Sequence, residues 1–228
     1  MQRTRARTRL SMSAVVVTAL VVLALATPAG ADTADDQQIA DDSTLTIDDI
    51  NTIVGEGLTE QPPDDSEQEF EAPSCAAIRK AAKLVKKGPH AETEFGIEAG
   101  DAFANINNIV GVLTSAKRAK AVYAAYAGPK AADCLEEAYT EAIAAQNPDD
   151  KATVTVDEFE PDAGDAAVGF EGQVESDSGG FYFEIVYVRV GRAVDGFYFV
   201  NSGSAPPSDD TAQLVEDGVA RLTENLEA

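Results

Sequence analysis

Few residues of this chain are of the types that do chemistry near neutral pH, and their spacing narrows the field further. The single histidine, His90, follows Gly88-Pro89 in what reads as a loop. One imidazole alone builds neither a zinc site nor a nucleophile–base pair. The two cysteines, Cys75 and Cys134, stand 59 positions apart, unlike the C-x-x-C spacing of redox and metal motifs. No G-x-G-x-x-G, phosphate loop or G-x-S-x-G occurs. The nearest approach to a calcium loop, DEFEPDAGD at residues 157–165, lacks the regular ligand spacing and the closing glutamate, and reads as an acidic connection. No metal and no cofactor is expected.

Carboxylates are abundant, 40 in all, so a nearby pair carries little information. A catalytic acid needs apolar surroundings that raise its pKa. Glu184, inside FYFEIVYV, is the one carboxylate placed that way, and it marks a secreted hydrolase as the enzyme reading; the plainer reading puts it on the open side of a sheet. Basic residues are rarer. Arg189 and Arg192 flank Gly191 and are the only cations between residues 153 and 201. With Tyr182, Tyr187 and Tyr198 close in sequence, they outline a cleft that orients a polar ligand, and Arg189, Arg192, Tyr182 and Tyr198 are the expected binding residues. Nine more basic residues fall between Arg79 and Lys130 against four acids, a locally positive region that answers the acidic N-terminal segment or an anionic partner.

The compartment is read from the N-terminus. Arg3, Arg5, Arg7 and Arg9 precede the short apolar run AVVVTALVVLALA, and Ala29 and Ala31 supply an A-x-A cleavage pattern. Residues 1–31 are therefore expected to be a signal peptide cut after Ala31, since the run is shorter than the roughly 20 residues of a spanning helix. No stable membrane insertion after cleavage is expected, and the product is secreted. Two cysteines in an exported chain are most simply a disulfide. Cys75–Cys134 would stabilise by roughly 4 kcal/mol in the chain-entropy model. A nucleophilic cysteine lacks a histidine placed to activate it.

The whole chain carries −23; without the four leader arginines, 13 basic and 40 acidic residues leave −27. That charge favours a soluble monomer and excludes nucleic acid and anionic membranes as partners. Residues 32–71 hold 14 acids and no lysine or arginine. Such composition predicts a mostly disordered segment over 32–72, with one short helix in TLTIDDINTIVGEGL, capped by Thr46.

The elements that must position these groups lie in residues 73–228, one ordinary domain. A first helix runs from residue 73 to about 87, with Ile78, Ala81, Ala82 and Val85 on one stripe. FANINNIVGVL at 103–113 reads as a strand. A second helix enters at Thr114-Ser115, Gly128-Pro129 breaks it, and a third ends at Asn147-Pro148. The period then changes to two: strands at 153–159, around 168–174, at 181–190 and at 194–200, with turns at SDSGG and Gly191-Arg192. A last helix starts around residues 208–210. The order predicts an α+β fold, with N-terminal helices on one face of an antiparallel meander and a closing C-terminal helix.

APSC at 72–75, SAKRAKAVYAAYAGPKAADC at 115–134, FEIVYVRVGRAVDGFYFV at 183–200 and the late Arg221-Leu222 appear in an order that resembles the actinobacterial extracellular sensor domain, the PknH-like domain at the outer end of some membrane Ser/Thr kinases. The chain departs from that pattern in having one cysteine pair where members often have two, and no tryptophan before the second cysteine. The resemblance implies a small α+β domain with a ligand cleft and no catalysis. The function expected from the sequence is a secreted, non-catalytic domain that takes a small or envelope-derived ligand. The alternatives are the Glu184 hydrolase and a structural or adhesive envelope protein.

Overall fold

The computed structural model describes residues 33–62, 72–99, 102–146, 149, 151–177 and 179–228. The expected signal peptide and the Asn147-Pro148 stop lie outside them. The fold is α+β, built on one antiparallel seven-stranded sheet: β1 (Thr59–Gln61), β2 (His90–Ala99), β3 (Ala102–Val112), β4 (Thr153–Phe159), β5 (Ala166–Ser176), β6 (Gly179–Val190) and β7 (Ala193–Asn201). Their spatial order is β1-β2-β3-β7-β6-β5-β4. The meander β4–β7 is the one its period-two pattern predicts, and β3 extends it by pairing with β7, Asn107 opposite Tyr198.

Helices cover both faces. On one lie α3 (Ala76–Lys86), α4 (Ala116–Tyr126) and α5 (Ala131–Gln146), where Ala81, Val85, Ala119, Val122 and Tyr139 meet Phe170, Phe183, Ile185 and Tyr187. On the other lies the closing helix α6 (Ser208–Glu227), whose Leu214, Val215, Val219 and Leu222 pack on Val186, Val188, Phe197 and Phe199. The strand β6 is apolar at nearly every position because each of its faces is roofed, and alternate side chains serve opposite cores. Ser115 caps α4 by accepting from the Arg118 N–H, as the sequence places it.

The acidic segment departs from expectation. Residues 33–62, predicted to be mostly disordered, form α1 (Thr33–Ser43), α2 (Ile47–Ile53) and the edge strand β1. Only α2 was legible: Thr46 and Asp49 close a capping box on it. The charge count misleads because the apolar residues are few but well placed. Ala40, Leu45 and Ile50 are fully buried with α6 against the sheet, while the acids face solvent or find cations. Asp36 pairs with Arg192 at 2.5 Å, and Asp49 with Arg221 at 2.7 Å.

The strand β2 is likewise unanticipated, and His90 opens it instead of sitting in a loop. A Cys75–Cys134 disulfide joins the start of α3 to α5, in a small core with Ala72 and Ala138. Beside it the Ser74 hydroxyl donates to Glu137 at 2.6 Å and Arg79 donates to the Ala72 carbonyl at 2.8 Å. Cross-linking here matters because alanine-rich helix faces bury little area per residue. Among the described residues no helix is long and apolar enough to cross a membrane.

Candidate ligand-binding face

The four residues expected to line a cleft do not converge. Arg189 donates to Asp165 at 2.8 Å, and the same carboxylate accepts the Gly191 N–H at 2.8 Å, so the pair locks the β6–β7 turn. Gly191 takes φ 53° there, a conformation that suits glycine. Arg192 reaches Asp36 of α1 and is used to fasten that helix. Tyr182 and Tyr198 lie on opposite faces of the sheet: Tyr182 shares the α6 side with Glu184, and Tyr198 packs with Tyr187 beneath α4. The cleft was inferred from nearness in sequence, and strand alternation separates what nearness joins.

Glu184 is neither in a closed pocket nor on an open face. It stands under the first turn of α6, where the Thr211 hydroxyl donates to its carboxyl at 2.9 Å. Burial raises its pKa, the Thr211 bond opposes that rise, and Glu171 directly across on β5 adds to it. Its position and partner are those of a carboxyl that seats a helix. The His90 ring nitrogen Nδ1 lies 3.0 Å from the Gly88 carbonyl, and its own carbonyl accepts from Gln37. Asp165, from the calcium-like stretch, is spent on Arg189.

A different constellation occupies the sheet face shared with α3 and α4. Alternate residues of β2 place Glu92 and Glu94 on that face, about 7 Å apart along the strand. Alternate residues of β3 place Asn105 and Asn107 beside them. Each amide reaches diagonally to a carboxylate: Asn107 donates to Glu92 and Asn105 to Glu94, both at 2.7 Å. Glu94, Asn105 and Asn107 are 5%, 4% and 3% exposed, whereas Glu92 is partly open. Burial raises the Glu92 pKa against the Asn107 bond; the Glu94 charge raises it further, while Lys86 and His90 pull it down.

Next in the row stand three tyrosines. Tyr198, opposite Asn107, has its hydroxyl 3.2 Å from that of Tyr187, with the rings edge to face at 5.8 Å. Tyr126 of α4 stacks on Tyr187 at 4.2 Å. Gly196 makes room for this: a Cβ there would meet the Tyr198 ring at 3.2 Å and Tyr187 at 3.5 Å. Burial pushes the Tyr187 hydroxyl up to about 12 and Tyr198 well above the usual phenol value, with Glu92 among the charges raising the latter. All three remain neutral at physiological pH.

The row is therefore a strip of acceptors and phenols, open at Glu92 and Tyr198 and closed at Glu94 and Asn105. A carboxylate only accepts, so Asn107 must turn its NH2 to Glu92 and its Oδ1 away. That Oδ1 is buried with no hydrogen-bond partner. Buried acceptors of this kind are costly unless something donates to them. No catalytic sequence motif signals such a row. Its only trace is the parallel alternation of E-x-E and N-x-N, hidden among 40 acids.

The chain is similar in structure to a known extracellular domain. The crystal structure of the extracellular domain of PknH from Mycobacterium tuberculosis superposes with a TM-score of 0.53 at 12% identity, covering 82% of this chain and 96% of that one. The likeness is one of fold. It agrees, at that level, with the order of motifs read from the sequence. No family model matches the chain, and no curated protein matches it in sequence.

Proposed function

We propose that this chain is an extracellular, non-catalytic sensor-like domain, and that it binds a small or envelope-derived ligand on the sheet face beside α3 and α4. The observation that carries the reading is the Glu92–Asn107–Tyr198 row. The Asn107 Oδ1 is buried there with no hydrogen-bond partner beside the partly exposed Glu92 carboxylate, in a fold similar to that of a kinase's extracellular domain. Proteins retain buried polar groups of this kind when a ligand or ordered water completes them. The fold supplies rigidity: strands hold the row, and the disulfide anchors the start of α3, one of the helices beside it.

The alternative of a hydrolase finds less support, because Glu184 already accepts from Thr211 at the start of a helix. Mass spectrometry of small molecules released on denaturing protein exported by its own host tests the proposal. A molecule retained by the native chain and lost from an Asn107→Leu variant is the expected result. Equal recovery from both would overturn the assignment of this face.

A further inference from the structure

The chemistry of the row narrows the ligand further. We infer that the face takes a cationic nitrogen, a protonated amine or a guanidinium, with Glu92 and the Asn107 Oδ1 as its acceptors and the Tyr198 ring beside it. This rests on the reading of that face as the ligand site.

Two features of the polar side point the same way. The side chains that meet here offer acceptors to an incoming group. Asn107 and Asn105 each direct an amide N–H to a carboxylate, and the Tyr198 hydroxyl donates to that of Tyr187. The Asn107 Oδ1, in a residue 3% exposed, has no donor of its own. An anion brought to this strip would meet two carboxylates and a buried carbonyl oxygen, and a purely apolar group would leave that oxygen unsatisfied. An N–H-rich cation satisfies both.

The aromatic side of the row fits as well. The Tyr198 ring leans over Gly196, the β7 position nearest Glu92 in the register, because glycine leaves the space that a Cβ would fill. An electron-rich ring face next to a carboxylate is the arrangement that holds ammonium and guanidinium groups. Glu92 and Tyr198 are both partly exposed, so the carboxylate can be reached on this face. The charges of Lys86 on α3 and of His90 favour the ionised form of Glu92, the form that attracts a cation.

The test is titration of the full chain with 1,5-diaminopentane at ~150 mM salt, where non-specific attraction to an acidic surface is screened. Pentane-1,5-diol is the neutral counterpart. Saturable 1:1 binding of the diamine, none of the diol, and a roughly tenfold or greater loss of affinity in Glu92→Gln support the inference, since a charge-assisted hydrogen bond carries about that factor. Binding unchanged in Glu92→Gln, or equal for diamine and diol, overturns it. Because Glu92→Gln alters a strand residue, NMR of the unaltered chain gives a second readout. Shifts confined to Asn107, Tyr198 and their strands support the site, and shifts spread over the acidic helices without saturation overturn it. A co-purifying ligand without a cationic nitrogen, lost from Asn107→Leu, would refute this inference and leave the proposed binding face standing.

Discussion

Asn108 donates its side-chain amide to the carboxyl of Asp195 at 2.7 Å, in the core between the sheet and α6. With its oxygen it accepts the backbone N–H of Leu45 at 2.9 Å, so a single carboxamide ties a buried acid to the N-terminal segment. Asp195 has no exposed surface, and its burial raises its pKa well above 3.8 in spite of the bonds from Asn108 and Gly196. The unfolded chain releases this proton near the model-peptide value, while the folded chain holds it. The associated stability is complete below pH 3.8 and falls as pH rises through the folded value. Asp195→Asn keeps the shape and removes that loss. Denaturant midpoints measured from pH 4 to pH 8 are expected to decline more steeply for the unaltered protein than for the variant. Parallel slopes would contradict the assignment of a neutral Asp195.

Arg221 of α6 performs the complementary task with a charge. It donates to the Thr44 carbonyl at 2.6 Å and to Asp49 at 2.7 Å. Burial alone would raise the Asp49 pKa, but the Arg221 and Thr46 bonds outweigh it and the pKa is lowered. The sign is opposite to that of Asp195: stability from Asp49 is present above 3.8 and lost as pH falls through its folded value. Arg221→Ala is expected to cost about 1–2 kcal/mol, given that both partners keep some exposure. Hydrogen exchange should quicken first in α2 and the turn before it, with the sheet still protected. Uniform loss of protection would show that α1 and α2 are not a separable unit.

The Cys75–Cys134 bond closes a loop that contains β2, β3 and α4. Reduction is expected to lower stability by roughly 4 kcal/mol. The surrounding core of Ala72, Ala138 and Ile78 is thin, so little packing compensates. Thermal unfolding with and without reductant measures the effect, and thiol titration of the unreduced, denatured chain should find no free thiol. Two thiols without reductant would rule out the disulfide.

What the sequence made legible follows from how strongly each element repeats its pattern. The strands β4 to β7 alternate over many residues, and α3 to α5 carry apolar stripes bounded by Gly-Pro, so both groups were readable. The strand β2 was not, because Ala91 and Thr93 give its apolar face little weight and Glu92 and Glu94 read as surface acids of a loop. The same acidity hid the candidate site, since a row of acids in an acidic protein looks like surface. Arg189 and Arg192 stood out as rare cations, yet their partners Asp165 and Asp36 lie 24 and 156 positions away. Pairing at that distance is a property of the fold, and only the folded chain reveals that these charges are already satisfied.

A packing relationship at the outer edge of the sheet tests the register itself. Gly169 of β5 pairs directly with Phe159 of β4, and a Cβ at 169 would lie 2.2 Å from the Phe159 ring. The ring thus covers the glycine, filling space a side chain would otherwise take, and packs on the α6 side of the core. Gly169→Ala must push Phe159 outward and is expected to cost about 1–3 kcal/mol through overpacking. Phe159→Leu alone loses apolar contact, but in the double variant the smaller side chain accommodates the new methyl. The two changes should therefore be less than additive, with a coupling of roughly 0.5 kcal/mol or more. Chemical denaturation of the four proteins measures the cycle. Strict additivity, or a Gly169→Ala variant as stable as the parent, would mean that β4 pairs with β5 in another register.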